Sequence, residues 1–183
     1  MPAARALLFL VLLPAAATAS AAAAGPQPAP AARMTAAECE VWARELSFAK
    51  SVADHDAKAF AEHVDQDAAF SVDSPEPLRG RDEITRQWGG IIQGKTLLLS
   101  WYPTRTTIAG APDVAFSAGP ALFEDTRPDA KQRYRLGGFR SVWHRGQDGT
   151  WRVMFDGGQE PVAATGAEAA AFKAGRQATC PQA

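Results

Sequence analysis

The chain has 183 residues, of which 46% are hydrophobic and 21% charged, so it fits a single globular domain with tails and excludes a large barrel enzyme or a disordered polymer. Nineteen Lys and Arg against twenty Asp and Glu leave a net charge of −1, too little positive field to gather nucleic acid or an acidic membrane surface. The two cysteines, Cys39 and Cys180, lie outside any CxxC or Cys/His cluster, so the cysteine spacing gives no support for zinc.

The N-terminus reads as an export signal. Arg5 precedes an unbroken apolar run over 6–13, of signal-peptide length and too short to span a bilayer. Pro14 and small residues follow, and cleavage is expected after Ala19 or Ala24. Residues 1–24 are thus a signal peptide and 25–34 a disordered Ala/Pro/Gly leader. Export implies a periplasmic or secreted protein with no membrane attachment after cleavage. It also permits a disulfide between Cys39 and Cys180, which would tie a C-terminal tail over 161–183 back to the first helix.

Thr35 with Glu38 forms a capping box. Val41, Trp42, Glu45, Leu46, Phe48, Ala49, Val52 and Ala53 then fall at helical spacing on one apolar face. Asp54-His55-Asp56 ends this helix and caps a shorter one whose inner stripe is Ala57, Phe60, Ala61 and Val64. Residues 68–73 have strand character, and Pro75 and Pro77 mark a loop. A third helix starts near Gly80, with Ile84, Trp88, Ile91 and Ile92 inward, and weakens at Gly94.

Strands follow at 97–108, 114–123, 134–145 and 151–156. Asp148-Gly149 signals a two-residue type I′ turn between the last two. That register opposes Arg145 to Arg152, Trp143 to Met154 and Ser141 to Asp156. It places Phe139, Ser141, Trp143, Met154 and Asp156 on one face of the sheet. Val142, Trp151, Val153 and Phe155 share the other face with Arg140 and His144. Both faces are largely apolar, as expected if helices cover one and a second copy of the chain covers the other.

The order of elements and several local motifs resemble the NTF2-like superfamily, in its SnoaL-like/DUF4440 branch. The residues that carry the resemblance are Glu45-Leu46-Ser47-Phe48-Ala49 with Asp54, then Asp67-Ala68-Ala69-Phe70. Gly80 with Ile84 opens the third helix in the same way, and the closing hairpin Val142-Trp143 to Asp148-Gly149-Thr150-Trp151 completes the set. The match spans roughly 36–158. The resemblance implies an α+β cone, in which a curved antiparallel sheet wraps around N-terminal helices over 35–160 and leaves a conical pocket. It further implies dimerisation through the sheet. Members include ketosteroid isomerase, scytalone dehydratase and polyketide cyclases, alongside many binding modules, so the fold alone does not fix the function.

Two carboxylates stand out. Asp156 ends an apolar strand and reads as a general base at a pocket mouth, or as a carboxylate bonding the Gly157-Gly158 turn. Glu45 lies on the apolar helix face and needs a partner; Arg140 is a candidate, as a structural ion pair or as two groups meeting a polar ligand. Trp42, Phe48, Trp101, Phe139, Trp143 and Met154 are expected to line the pocket together with Arg140, whereas Trp88 and Trp151 read as core. His55, His63 and His144 have no metal spacing and read as surface residues. Gly137-Gly138 and Gly157-Gly158 read as bends rather than phosphate cradles, and no cofactor is expected. Three functions remain open: a module binding a small, mainly apolar molecule, a cofactor-independent isomerase, dehydratase or cyclase using a pocket carboxylate, and a dimerisation or interaction module.

Overall fold

The computed structural model describes residues 33–181, so the expected signal peptide and most of the expected leader lie outside the described residues. Helix α1 (Ala36–Ala53) opens with the expected Thr35–Glu38 capping box. Glu38 also accepts the Ile108 N–H at 3.0 Å, and the Thr106 hydroxyl donates to the Glu38 carbonyl at 2.8 Å, which pins this helix end to the sheet. Helix α2 (Ala57–His63) starts at Asp56, whose side chain accepts the N–H groups of Lys58 and Ala59. Helix α3 (Arg81–Gln93) is bounded by Gly80 and Gly94, both at positive φ.

Seven strands complete the fold: β1 (Val64–Phe70), β2 (Leu78–Arg79), β3 (Leu97–Trp101), β4 (Arg105–Ile108), β5 (Val114–Asp125), β6 (Tyr134–Arg145) and β7 (Trp151–Ala164). They form one curled sheet in the order β2-β1-β7-β6-β5-β3, with β4 also on β5. The sheet is mixed rather than wholly antiparallel, because β1 pairs with β7 in parallel and Phe70 stands beside Asp156. The inner side packs on the helices through Val41, Phe48, Phe60, Phe70, Ile84, Trp101, Trp143 and Val153, all buried.

The expected single strand over 97–108 is two strands. Pro103 lacks an N–H and cannot continue the ladder. The chain bends over β5 there, and a Cβ on Gly119 would stand 2.0 Å from the Tyr102 carbonyl oxygen.

The last hairpin also differs. Of Asp148 and Gly149, only Gly149 has positive φ, so a type I′ turn is excluded. Gly149 N–H donates to the Gly146 carbonyl and Gly146 N–H to Thr150, which leaves a three-residue loop. Pairing is therefore shifted by one: Arg145 opposes Trp151, and Trp143 opposes Val153 rather than Met154. A β-bulge at Met154 then restores the register, so Ser141 opposes Asp156 as expected. The bulge turns Trp151 and Val153 into the core and leaves Phe155 outside, 42% exposed.

The C-terminal segment is structured. Strand β7 runs on to Ala164, and helix α4 (Gly166–Ala174) follows, opened by a second capping box from Thr165 and Glu168. Phe172 and Ala169 cover Tyr102 and Leu122 in a second apolar cluster, with Phe172 and Tyr102 rings 4.8 Å apart. Beyond α4 the chain returns to α1, where Cys180 is disulfide-bonded to Cys39.

Candidate functional site

The curl of the sheet leaves a cavity of about 400 Å3 between α1, α3 and strands β3, β5, β6 and β7. This is within the range of small-molecule sites. Phe48 from α1, Trp88 and Ile91 from α3, Leu99 and Trp101 from β3, and Phe123 and Phe139 from the sheet give it apolar walls. The rings form a continuous network, with centroids of Phe48 and Trp101 5.3 Å apart and those of Trp88 and Trp101 6.4 Å apart. One wall is polar. It holds Asp156, and at the exposed mouth Ser71, Asp73, Ser74 and Glu160.

Asp156 is brought here by the bulge and by the parallel β1–β7 pair. Its Oδ2 accepts the Ser141 hydroxyl at 2.9 Å. Burial pushes its pKa up to about 8 against that hydrogen bond, and the charges of Glu45 and Asp73 add to the rise. A carboxyl in this condition exchanges a proton near neutral pH.

Asp73 was not among the sequence candidates. The chain leaves β1 through Ser71, a non-glycine residue in the left-handed region (φ 56). Val72 N–H then donates to the Asp156 carbonyl at 3.1 Å, which swings Asp73 over β7. Asp73 Oδ2 accepts the Gly158 N–H at 3.0 Å. A Cβ at Gly157 would stand 2.5 Å from the same oxygen, so the Gly157-Gly158 pair makes room for this carboxylate. The signal was present in the sequence as an acid ending a strand and a distant Gly pair, but nothing in it joined the two.

Glu45 lies behind the cavity wall. It is 0% exposed, its Oε1 accepts Trp101 Nε1 at 2.7 Å and its Oε2 accepts Trp143 Nε1 at 2.8 Å. Burial pushes its carboxyl above the ordinary range, while the two indoles and the nearby Ser117 and Ser141 hydroxyls act in the opposite direction. Its partners are thus indoles and not Arg140, which is exposed on the outer side of β6. Alternation explains the difference, because Arg140 stands between the inward Phe139 and Ser141.

Of the sequence candidates, Phe48, Trp101, Phe139 and Asp156 line the cavity. Trp42, Arg140, Trp143 and Met154 do not. Trp42 is buried on α1 with no hydrogen-bond partner for its Nε1 among the described residues. Trp143 is fully buried against Glu45 and Phe48, and Met154 is displaced by the bulge. Trp88, expected in the core alone, lines the cavity as well. His63 is buried rather than on the surface. Its ring bonds the Ala59 carbonyl and the Ser47 hydroxyl, and burial pulls its pKa down to about 4. Among the described residues no group of three His, Cys, Asp or Glu is placed to hold a metal ion.

No family model and no curated protein sequence matches the chain. Solved structures do. An NTF2-like protein of unknown function from Pseudomonas putida KT2440 matches with a TM-score of 0.58 at 16% identity, over 73% of this chain and 99% of that one. A ketosteroid isomerase-like protein from Erwinia carotovora atroseptica SCRI1043 matches at 0.57 and 12% identity, over 69% and 98%. An NTF2-like superfamily protein from Salmonella enterica serovar Typhimurium LT2 matches at 0.55 and 18% identity, over 72% and 96%. At these identities the likeness is one of fold, and the chain has the NTF2-like α+β cone.

Proposed function

We propose that the chain is an exported binding protein that holds a small, mainly apolar molecule in its cone. The observation that carries this reading is the aromatic-walled cavity of about 400 Å3, apolar except along the wall that holds Asp156. The motifs of the first helix and the closing hairpin favour the SnoaL-like/DUF4440 branch of the fold. The disulfide accords with an oxidising compartment, and no described helix is long and apolar enough to cross a membrane. Phe155 and Val162, 42% and 67% exposed on β7, favour a homodimer through the outer side of the sheet.

A fragment screen observed by protein NMR tests the reading. Hits should perturb Leu99, Trp101, Ala121 and Phe139 together, and Ala121→Phe, which fills the cavity, should abolish them. A screen in which no fragment perturbs these residues would overturn it. Light scattering of the mature protein should give twice the monomer mass, and its N-terminus should begin beyond Ala19.

A second reading, a cofactor-independent isomerase, dehydratase or cyclase, is favoured by one observation. Asp156 combines a pKa near 8 with a place on the cavity wall, which suits a group that takes and returns a proton. It predicts exchange of carbon-bound hydrogen into deuterated solvent for a bound carbonyl compound, lost in Asp156→Asn while binding is retained.

A further inference from the structure

Lys, Arg and His are absent from the lining of the cavity among the described residues, although the whole chain has nearly as many cations as anions. Its ionisable lining is Asp73, Asp156 and Glu160, and Glu45 stands behind the wall. Asp156 accepts a hydrogen bond from Ser141, and no cationic side chain bears on it. The same cavity is lined by the indoles of Trp88 and Trp101 and the rings of Phe48 and Phe139. An aromatic face attracts a cation through the negative charge of its ring face. A carboxylate in a low-dielectric cavity attracts a cation and repels an anion far more strongly than in water. Rings and acids therefore select for the same charge on the ligand.

We propose that the cavity receives an organic cation, a quaternary ammonium or protonated amine on an apolar body, with its charge between Asp73 and Asp156 and its body against Trp88 and Trp101. This rests on the ligand-binding reading above and names the ligand class. A consequence is proton linkage. The groups facing Asp156 are Glu45 from α1, Asp73 from the loop after β1, Glu160 on its own strand and the neutral Ser141 on β6. Burial holds its proton up to about pH 8, and the charges of Glu45 and Asp73 add to that effect. Entry of a permanent cation displaces that proton from the carboxyl oxygen to solvent, one for one. Affinity should therefore rise about tenfold per unit between pH 6 and 8 and level off above.

The test is calorimetric titration with three benzyl probes: benzyltrimethylammonium, its neutral carbon isostere neopentylbenzene, and the smaller anion phenylacetate. The cation should bind at least tenfold more tightly than the isostere at pH 8.5, release close to one proton at pH 7, and leave phenylacetate without measurable binding. Asp73→Asn at the exposed mouth, and Asp73→Asn with Asp156→Asn, should reduce and then remove the preference for the cation over the isostere. Equal or tighter binding of the isostere, or a preference that survives both substitutions, would overturn the cation assignment and leave the apolar-ligand reading standing. Absence of binding by all three probes would overturn both.

Discussion

Glu45 and Asp156 are two acids near the inner face of one sheet, and they have opposite relations to it. Glu45 is enclosed, and each of its oxygens takes an indole N–H, one from β3 and one from β6. Every bond it makes joins one element to another. Asp156 bonds a neighbouring serine and otherwise faces the cavity. Both are pushed up by burial, so the shift alone does not separate a clamp from a reactive or binding group. The difference lies in how many partners are already present. A carboxylate whose hydrogen-bonding capacity is met by the fold holds the fold together, and one with spare capacity at a cavity is available to a ligand.

The largest effect should come from the clamp. Glu45→Ala leaves two buried indole N–H groups unpaired and a void beside them, and should cost about 3–5 kcal/mol in urea unfolding. A loss under about 1 kcal/mol would end the distinction between the two acids. His63 provides a check outside both sites. Its imidazole is held neutral to about pH 4 in the fold but protonates near 6.5 when unfolded, so stability should fall as pH drops from 6.5 to 4, by up to about 3 kcal/mol. His63→Gln should flatten that limb without altering ligand binding.

Asp156 should act in the opposite direction. In the fold it keeps its proton to about pH 8, whereas unfolded it ionises near 4, so the native state loses stability as pH rises through that window. Asp156→Asn should unfold like the parent at pH 4 and be more stable by about 2 kcal/mol at pH 9, after discount for partial exposure. The smallest effect should be at Trp42, whose N–H lacks an acceptor among the described residues. Trp42→Phe should cost less than about 1 kcal/mol, whereas Trp101→Phe, which deprives Glu45 of a donor, should cost about 2.

Local chemistry made much of the fold legible. The Thr35–Glu38 box and the Asp54-His55-Asp56 cap located two helix starts, because each depends on residues within one turn, and the spacing of Val41 to Ala53 marked the buried face of α1. The same signal at Thr165–Glu168 announces α4, but it is embedded in an Ala-rich stretch that reads as tail. The site was less legible because it depends on small register events. One extra turn residue and one bulge exchanged Met154 for Val153 on the inner face and still returned Asp156 to it. Asp73 reaches the site through pairing between segments more than eighty residues apart, and periodicity carries no trace of that.

The Cys39–Cys180 bridge makes the domain a covalent ring of chain that contains the cavity, both acids and every strand. A protease that cuts one exposed loop, such as the polar turn over 126–133, therefore opens the ring without releasing a fragment: the nicked protein gains one water and its two pieces stay joined until a reductant is added. Under oxidising conditions a single cut leaves the two segments joined through the bridge.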